Sequence, residues 1–266
     1  MSESRATRLA LGGWTALVLL FLLVPIAIIV VYAFNSSNIQ GWPISGFTTK
    51  WFGTAWHDQE IRDALWLSVK AGLISTGIAL LLGTMAAFAV HRFRFFGREA
   101  ISFIVVLPIA LPGIITGMAF NSLFVFAGID FTLWTIVIGH ATFCIVVVYN
   151  NAIARLRRTQ ASLVEASMDL GGDGWQTFRL VTLPVMSTAL VAGGLLAFAL
   201  SFDEVIVTTF TAGAQNTLPL WIFGAIRLGQ KLPEVNAVVV AVIALTLVPV
   251  ALAQRLARDT GVLRQR

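Results

Sequence analysis

Long apolar runs separated by short polar segments dominate the chain. Six runs reach the length of about 20 residues that a helix needs to cross the hydrocarbon core of a bilayer. Because a backbone inside lipid must satisfy its own hydrogen bonds, each run is expected to be helical. The pattern therefore predicts an all-α, polytopic membrane protein with six transmembrane helices. Their predicted limits are Leu11–Phe34, Leu65–Val90, Ile101–Phe126, Leu133–Tyr149, Val185–Thr211 and Val235–Leu256.

Prolines and glycines mark irregular points within these runs. Gly113 and Gly117 are spaced as a small-xxx-small pair, which allows another helix to approach closely. We expect this pair to serve helix packing rather than chemistry. Prolines inside a span each remove a backbone donor and are expected to kink the helix. They are Pro25, Pro108, Pro112 and Pro249.

Composition supports a lipid environment, since 58% of the residues are hydrophobic and only 12% are charged. The arginines cluster in the N-terminal segment, after the second and fourth runs, and near the C-terminus. By the positive-inside tendency, this distribution predicts that both termini are cytoplasmic. The net charge of +5 is divided among these short clusters, so it does not indicate a nucleic-acid partner. The first run is longer than the roughly 7–15 residues of a signal-peptide core and is expected to remain as a span.

The cytoplasmic segment before the fifth run carries helix-capping signals. Ser162 and Glu165 have the spacing of a capping box, which predicts a helix beginning at Ser162. Gly171 and Gly172 are expected to end this helix, because glycine accepts the left-handed conformation found at helix C-termini. Asp173 is expected to cap a second helix that extends to about residue 180. A helix, a glycine bend and a second helix are typical of a surface that docks a cytoplasmic partner.

This segment resembles the EAA motif of ABC importer permeases. The motif residues are Glu165-Ala166-Ser167, then Gly171, then Val181-Thr182-Leu183-Pro184 after nine further residues. The resemblance implies a MetI-like permease core and a coupling helix that contacts a separate ATPase subunit. It also implies partners for the chain as a whole: two ATPase subunits, a homologous second permease and a periplasmic substrate-binding protein, with the chain itself embedded in the lipid bilayer. The residues implied in ATPase coupling are Glu165, Ala166, Ser167, Gly171, Leu183 and Pro184.

Further stretches resemble the second permease of spermidine/putrescine importers, which implies polyamine transport across the bacterial inner membrane. The stretches are Ser201–Val205, Leu218–Leu220 and Pro233–Ala237. On this basis the expected organisation is a cytoplasmic N-terminus at residues 1–10 and a first span with a periplasmic segment at 11–64. A permease core follows at 65–256, containing the coupling loop at about 155–184, and a cytoplasmic tail occupies 257–266.

Polar residues in the fifth run are candidates for the substrate path. Ser201, Glu204 and Thr208 follow helical spacing and would share one face of a continuous helix, with Asp203 on its flank. Carboxylates on such a stripe would attract the ammonium groups of a polyamine. Trp51 could stack on a cation near the outer mouth, although an interfacial anchor is the commoner role. His140, in the middle of the fourth run, is expected to bond to a neighbouring helix.

Several functions lack the residues they would need. The sequence contains no G-x-x-x-x-G-K-[S/T] loop of the kind that binds ATP. We therefore expect another subunit to hydrolyse ATP and the chain itself not to be an enzyme. The three histidines offer no metal-ligand spacing, and no cofactor is expected.

An ABC permease for another small cationic or amino-acid-like solute is the closest alternative to a polyamine permease. An ion-driven secondary transporter would explain intramembrane carboxylates but not a capped docking loop, and no nucleophile or metal cluster suggests a membrane enzyme.

Overall fold

A computed structural model describes residues 5–262, giving the backbone alone for residue 6 and for residues 248–262. Within this range every extended regular element is a helix, and a single isolated bridge joins Asn35 to Phe47. The all-α prediction is confirmed. The helices are α1 (Arg5–Ala33), α2 (Lys50–His57), α3 (Gln59–Arg92), α4 (Arg98–Ala110), α5 (Gly113–Phe126), α6 (Leu133–Arg158), α7 (Ala161–Asp169), α8 (Gly174–Thr177), α9 (Leu183–Phe202), α10 (Ile206–Thr211), α11 (Leu218–Leu228) and α12 (Leu232–Val262), with a π-helical turn at Phe178–Thr182 between α8 and α9.

The chain forms two compact units, one comprising residues 1–62 with 224–266 and the other residues 63–223. In the first unit, α12 packs against α1 and α2. Lys231, just before α12, donates hydrogen bonds from Nζ to Asp58 Oδ2 at 2.7 Å and to Glu60 Oε2 at 3.0 Å. These ion pairs connect the start of α12 to the turn between α2 and α3.

The second unit is built around α6, because 67% of the apolar stretch of that helix is buried. Three hydrophobic clusters along α6 also contain residues of α3, and two of them include residues of α9. Gly83 allows α3 to approach closely, since a Cβ atom there would lie 2.9 Å from the carbonyl oxygen of Ile145. Cys144, in the middle of α6, is fully buried and donates from Sγ to the carbonyl of Ala197 on α9 at 3.3 Å.

Four described helices are long and apolar enough to cross a membrane: Thr7–Ala33, Gln59–Arg92, Leu133–Arg158 and Gly174–Phe202. The helices α4 and α5 would together form a fifth span, but they are bent by 102°. The predicted third run is therefore two helices rather than one kinked helix. The break falls at Pro112, which cannot donate a backbone hydrogen bond and forces extended geometry on the residue before it. Pro25 and Pro108 instead lie inside helices that continue past them.

The sixth predicted run, Val235–Leu256, falls within α12. The side chains from residue 248 onward lie outside the described part of the chain, so those of Pro249 and of the predicted tail at 257–266 are not described. The described residues thus contain four spans, or five if the bent pair counts as one.

The prediction that the fifth run is one helix from Val185 to Thr211 is wrong. Helix α9 ends at Phe202, the residues Asp203, Glu204 and Val205 interrupt it, and α10 begins at Ile206. The physical reason lies in Glu204, whose Oε1 accepts a hydrogen bond from the backbone N–H of Val207 at 2.9 Å. This carboxylate caps the start of a new helix, where free N–H groups and the helix dipole favour negative charge.

Candidate functional site

The segment between α6 and α9 contains the predicted helix, but the helix starts earlier than expected. Helix α7 begins at Ala161 after an extended Gln160, which makes no side-chain capping bond. The capping box predicted at Ser162 and Glu165 is therefore wrong, because Ser162 already lies inside the first turn. Glu165 and Ala166 are exposed, and Ser167 is half-buried.

The glycine bend after α7 is confirmed and has two separate causes. Gly171 has a φ of +87°, in the left-handed region that residues with a Cβ atom rarely adopt. Gly172 donates from its N–H to the carbonyl of Ser167 at 2.9 Å, and a Cβ atom there would lie 2.8 Å from that oxygen. One glycine is thus required by backbone conformation and the other by space.

The second helix of the segment is capped as predicted. Asp173 Oδ1 accepts a hydrogen bond from the N–H of Gln176 at 2.7 Å, and the Gln176 side chain accepts from the N–H of Asp173 at 3.0 Å. Helix α8 then passes through the π-helical turn into α9, so that Leu183 and Pro184 form the first turn of α9. Ser167 and Thr177 exchange a hydroxyl hydrogen bond at 3.0 Å. The bend therefore has direct contacts to the base of a spanning helix.

Several large apolar side chains of this segment are exposed. Leu170 exposes 88% of its surface, and Trp175 and Leu180 expose 66% and 70%. They lie on both sides of the glycine bend, and Glu165 on α7 is exposed as well. Clustered exposed apolar residues beside a charge are typical of protein-interaction surfaces.

The interruption between α9 and α10 carries the two candidate carboxylates. Asp203 is the C-terminal capping residue of α9 and is exposed, whereas Glu204 is half-buried and caps α10. The predicted stripe along one continuous helix does not exist, because the helix is broken between its members. Ser201 and Thr208 are nevertheless brought together, since both are buried and both contact His140.

His140, on α6, links the two sides of the interruption. Its Nδ1 lies 2.7 Å from the Ser201 hydroxyl on α9, and its Nε2 lies 2.8 Å from the Thr208 hydroxyl on α10. The prediction that His140 bonds to a neighbouring helix is confirmed. Sequence spacing gave no sign that its two ring nitrogens contact two different helices.

Helix α10 is held by side chains that the sequence-based prediction did not single out. Asn121 Nδ2 on α5 donates to the carbonyl of Phe210 at 2.8 Å, and Thr135 Oγ1 on α6 donates to the carbonyl of Thr211 at 2.8 Å. These bonds satisfy carbonyls at the C-terminus of α10, which would otherwise have no intrahelical partner. The available signal was the presence of polar residues within otherwise apolar runs.

Trp51, the remaining predicted site residue, lies in the first unit on α2. It is only 7% exposed, and its Nε1 donates to the carbonyl of Asn35 at 2.7 Å. Lys50 Nζ lies 4.2 Å from the centroid of the Trp51 ring, within the range of a cation–π contact. Among the side chains that the structure describes, no group of three or more His, Cys, Asp or Glu residues could hold a metal ion.

Comparisons with known proteins agree with this architecture. The chain is 34% identical over 253 residues to the spermidine/putrescine transport system permease protein PotC of Escherichia coli K12, covering 95% of each chain. It is 35% identical over 237 residues to the putrescine transport system permease protein PotI of the same organism, covering 84% of this chain and 83% of that one. The crystal structure of a bacterial ABC transporter involved in alginate import contains a chain with the same fold, with a TM-score of 0.72, 20% identity, and coverage of 96% of this chain and 99% of that one.

A family model also matches residues 79–260, which include α6, the segment between α6 and α9, and the interruption between α9 and α10. The model describes the binding-protein-dependent transport system inner membrane component. Proteins of this family are membrane subunits of transport systems rather than enzymes. The match covers more than half of the chain, and the two permeases exceed 30% identity over most of its length. The chain therefore belongs to the family of inner membrane components of binding-protein-dependent transport systems.

Proposed function

We propose that this chain is a permease subunit of an ATP-driven importer of polyamines such as putrescine and spermidine. The likeness over 95% of the chain to a spermidine/putrescine permease carries the choice of substrate class. The chemistry at the interruption between α9 and α10 supports it. An exposed carboxylate at Asp203 beside a half-buried one at Glu204 suits a flexible polycation, whose ammonium groups need negative charge once they leave water.

In this proposal the substrate path passes the Asp203/Glu204 pair. Ser201 and Thr208 belong to the same stretch, with their hydroxyl groups on its buried side. Trp51 is also assigned to the path, because its indole face can bind a cation, as its cation–π contact with Lys50 illustrates. Asp203 is the residue expected to contact the substrate directly, because its carboxylate is the exposed one of the pair.

The coupling part of the proposal concerns the segment from α7 to the start of α9. Glu165, Ala166 and Ser167 would contact one of two ATPase subunits, and Gly171 would fix the angle between α7 and α8. Leu183 and Pro184 would carry the displacement into α9, since α8 continues into that helix without a break. ATP-driven closure of the ATPases would then switch the path between outward and inward access.

The assembly that completes this proposal contains a homologous second permease and a periplasmic binding protein. Both termini of the chain lie in the cytoplasm, in keeping with the arginine distribution. The proposed organisation is a cytoplasmic N-terminus at 1–10, a first span and periplasmic segment at 11–64, a permease core at 65–256 and a tail at 257–266.

Uptake of radiolabelled putrescine and spermidine by cells expressing the complete system tests the function. Asp203→Asn and Glu204→Gln remove the charges while preserving shape, and we expect uptake to fall at least about tenfold for Asp203→Asn, the loss of one charge-assisted contact. Asp130→Asn is the matched control, since Asp130 is an exposed carboxylate outside this stretch. Unchanged uptake by both assembled variants would remove the carboxylates from the path.

Two further measurements separate the proposal from its alternatives. Competition by excess cationic amino acids, with no competition by spermidine, would indicate another small cationic or amino-acid-like solute. Uptake that persists after ATP depletion but stops when the proton or sodium gradient is collapsed would indicate an ion-driven transporter instead.

A further inference from the structure

The interruption between α9 and α10 lies between two helices that are each fastened to α6. On one side, Cys144 of α6 donates to the carbonyl of Ala197 on α9 at 3.3 Å. On the other side, Thr135 of α6 donates to the carbonyl of Thr211 on α10 at 2.8 Å. A helix of six residues has too few internal hydrogen bonds to persist alone, so α10 depends on such contacts.

His140 is the one described side chain that hydrogen-bonds to both α9 and α10. It is 1% exposed, and its partners Ser201 and Thr208 are 3% and 0% exposed. These partners stand two residues before Asp203 and four residues after Glu204. Through buried hydrogen bonds, the imidazole therefore connects the helices on either side of the acidic pair.

The hydrogen bonds fix the tautomer of this histidine. The Thr208 hydroxyl donates to the carbonyl of Glu204 at 2.7 Å, so its oxygen accepts from His140 Nε2–H. Nδ1 is then the acceptor and receives the proton of the Ser201 hydroxyl, which has no other acceptor among the described residues. A single chain of hydrogen bonds thus runs from Ser201 through His140 and Thr208 to the backbone of Glu204.

We propose that His140 is a positioning residue that sets the geometry of Asp203 and Glu204 for substrate passage, with Ser201 and Thr208 acting through it. This inference rests on the proposed function of the acidic pair. Without the two hydrogen bonds of His140, α9 and α10 keep their separate attachments to α6. The angle between them, and with it the direction of the two carboxylates, is then no longer fixed.

The test uses the complete transporter reconstituted in liposomes with its binding protein. Two rates are measured in parallel: putrescine moved into the lumen and ATP hydrolysed. His140→Leu removes both hydrogen bonds, whereas His140→Gln keeps an acceptor and a donor on one side chain. Cys144→Ala is the matched control, because it loosens the same α6–α9 interface without touching α10.

We expect His140→Leu to lower the putrescine moved per ATP by about tenfold, the order of effect expected when two modest buried hydrogen bonds are lost. We expect His140→Gln to recover most of the ratio and Cys144→Ala to leave it unchanged. A purely structural role would instead lower transport and ATP hydrolysis together, in proportion to the assembled complex, in all three variants. That result, or an unchanged ratio in an assembled His140→Leu complex, would overturn the inference.

If the His140→Leu complex does not assemble, Thr208→Val decides the question, because it removes the hydrogen bond between His140 and α10 with little change in shape. We expect a smaller reduction of the same ratio, and an unchanged ratio would overturn the inference. A wild-type complex that moves neither putrescine nor spermidine would overturn the proposed function as well. Normal wild-type transport with an unaltered ratio in the variants would overturn only the role of His140.

Discussion

Gly117 on α5 lies directly against Phe210 on α10, so closely that a Cβ atom at Gly117 would stand 2.6 Å from the phenyl ring. The same atom would be 3.3 Å from the Phe210 Cβ, so the ring cannot relieve the contact by a small rotation alone. Gly113, one turn earlier, has more room, with 3.6 Å to the nearest atom of Ile206. The small-xxx-small pair predicted from the sequence is confirmed as the surface on which α10 packs.

Gly117→Ala is expected to displace α10 and to destabilise the protein by about 1–3 kcal/mol, as overpacking of a close contact does. Gly113→Ala is the matched control, and we expect a change of less than about 0.5 kcal/mol there, since its Cβ would make ordinary van der Waals contact. Denaturant unfolding in detergent followed by tryptophan fluorescence measures both. Equal stability of the two variants would contradict the close packing of α5 on α10.

The glycine bend between α7 and α8 gives a second prediction. Gly171→Ala places a Cβ atom on a left-handed residue, at a cost of about 1–2 kcal/mol, and Gly172→Ala drives one into the Ser167 carbonyl. Both are expected to reduce the amount of ATPase that co-purifies with the permease. Gly174→Ala is the control, because nothing lies within 4 Å of its Cβ position and the residue is helical. Equal recovery of ATPase with all three variants would show that the bend is not needed for docking.

Asp173 supplies a third prediction, since it accepts the hydrogen bond that begins α8. Asp173→Ala is expected to destabilise this helix by about 1 kcal/mol, the usual effect of removing an N-terminal cap. Asp173→Asn keeps an accepting oxygen and should retain most of the stability. Amide hydrogen exchange at Gln176 reports the difference directly, because its N–H is the donor. Protection of this amide that is the same in Asp173→Ala as in the wild type would refute the capping role.

The ion pairs of Lys231 predict a pH dependence in the first unit. Burial acts to raise the pKa of Asp58, but the hydrogen bond and charge of Lys231 and the N–H groups of Glu60 and Ile61 outweigh it and hold the pKa below 3.8. Hydrogen bonds to Asp58 and Glu60 raise the pKa of Lys231 above 10.5. The Asp58 contribution is therefore complete above pH 3.8 and is lost as the pH falls through its lowered pKa. The Lys231 contribution is complete below pH 10.5 and is lost as the pH rises through its raised pKa.

Lys231→Met is expected to lower stability at neutral pH by about 0.2–1 kcal/mol, because both partners are partly exposed. The difference from the wild type should shrink as the pH falls below 3.8. Hydrogen exchange of the Val235 amide, which donates to the Lys231 carbonyl at 2.9 Å, reports opening of the start of α12. Arg227→Met is the control, since Arg227 makes no ion pair among the described side chains. A Lys231→Met effect independent of pH would argue against the ion pairs as its cause.

Much of this architecture follows from local sequence. The apolar runs predict helices because lipid leaves the backbone no other partner, and Pro112 predicts a disruption because it lacks a donor. Gly171 and Asp173 predict the bend and the second cap because their chemistry acts on neighbouring residues. The capping box predicted at Ser162 is wrong, because the N-terminal cap falls two residues earlier, at an extended Gln160, and α7 already begins at Ala161.

The sequence by itself determined that the chain is helical and membrane-embedded and where its polar residues fall, and it predicted the glycine bend between two helices before α9. These properties depend on side chains within a turn or two of each other. Only the tertiary structure decided that the acidic pair interrupts a helix and that His140 bonds to both sides of the interruption. The partners of His140 are 61 and 68 residues away in the chain, and packing of α6 against α9 and α10 alone brings them within 3 Å.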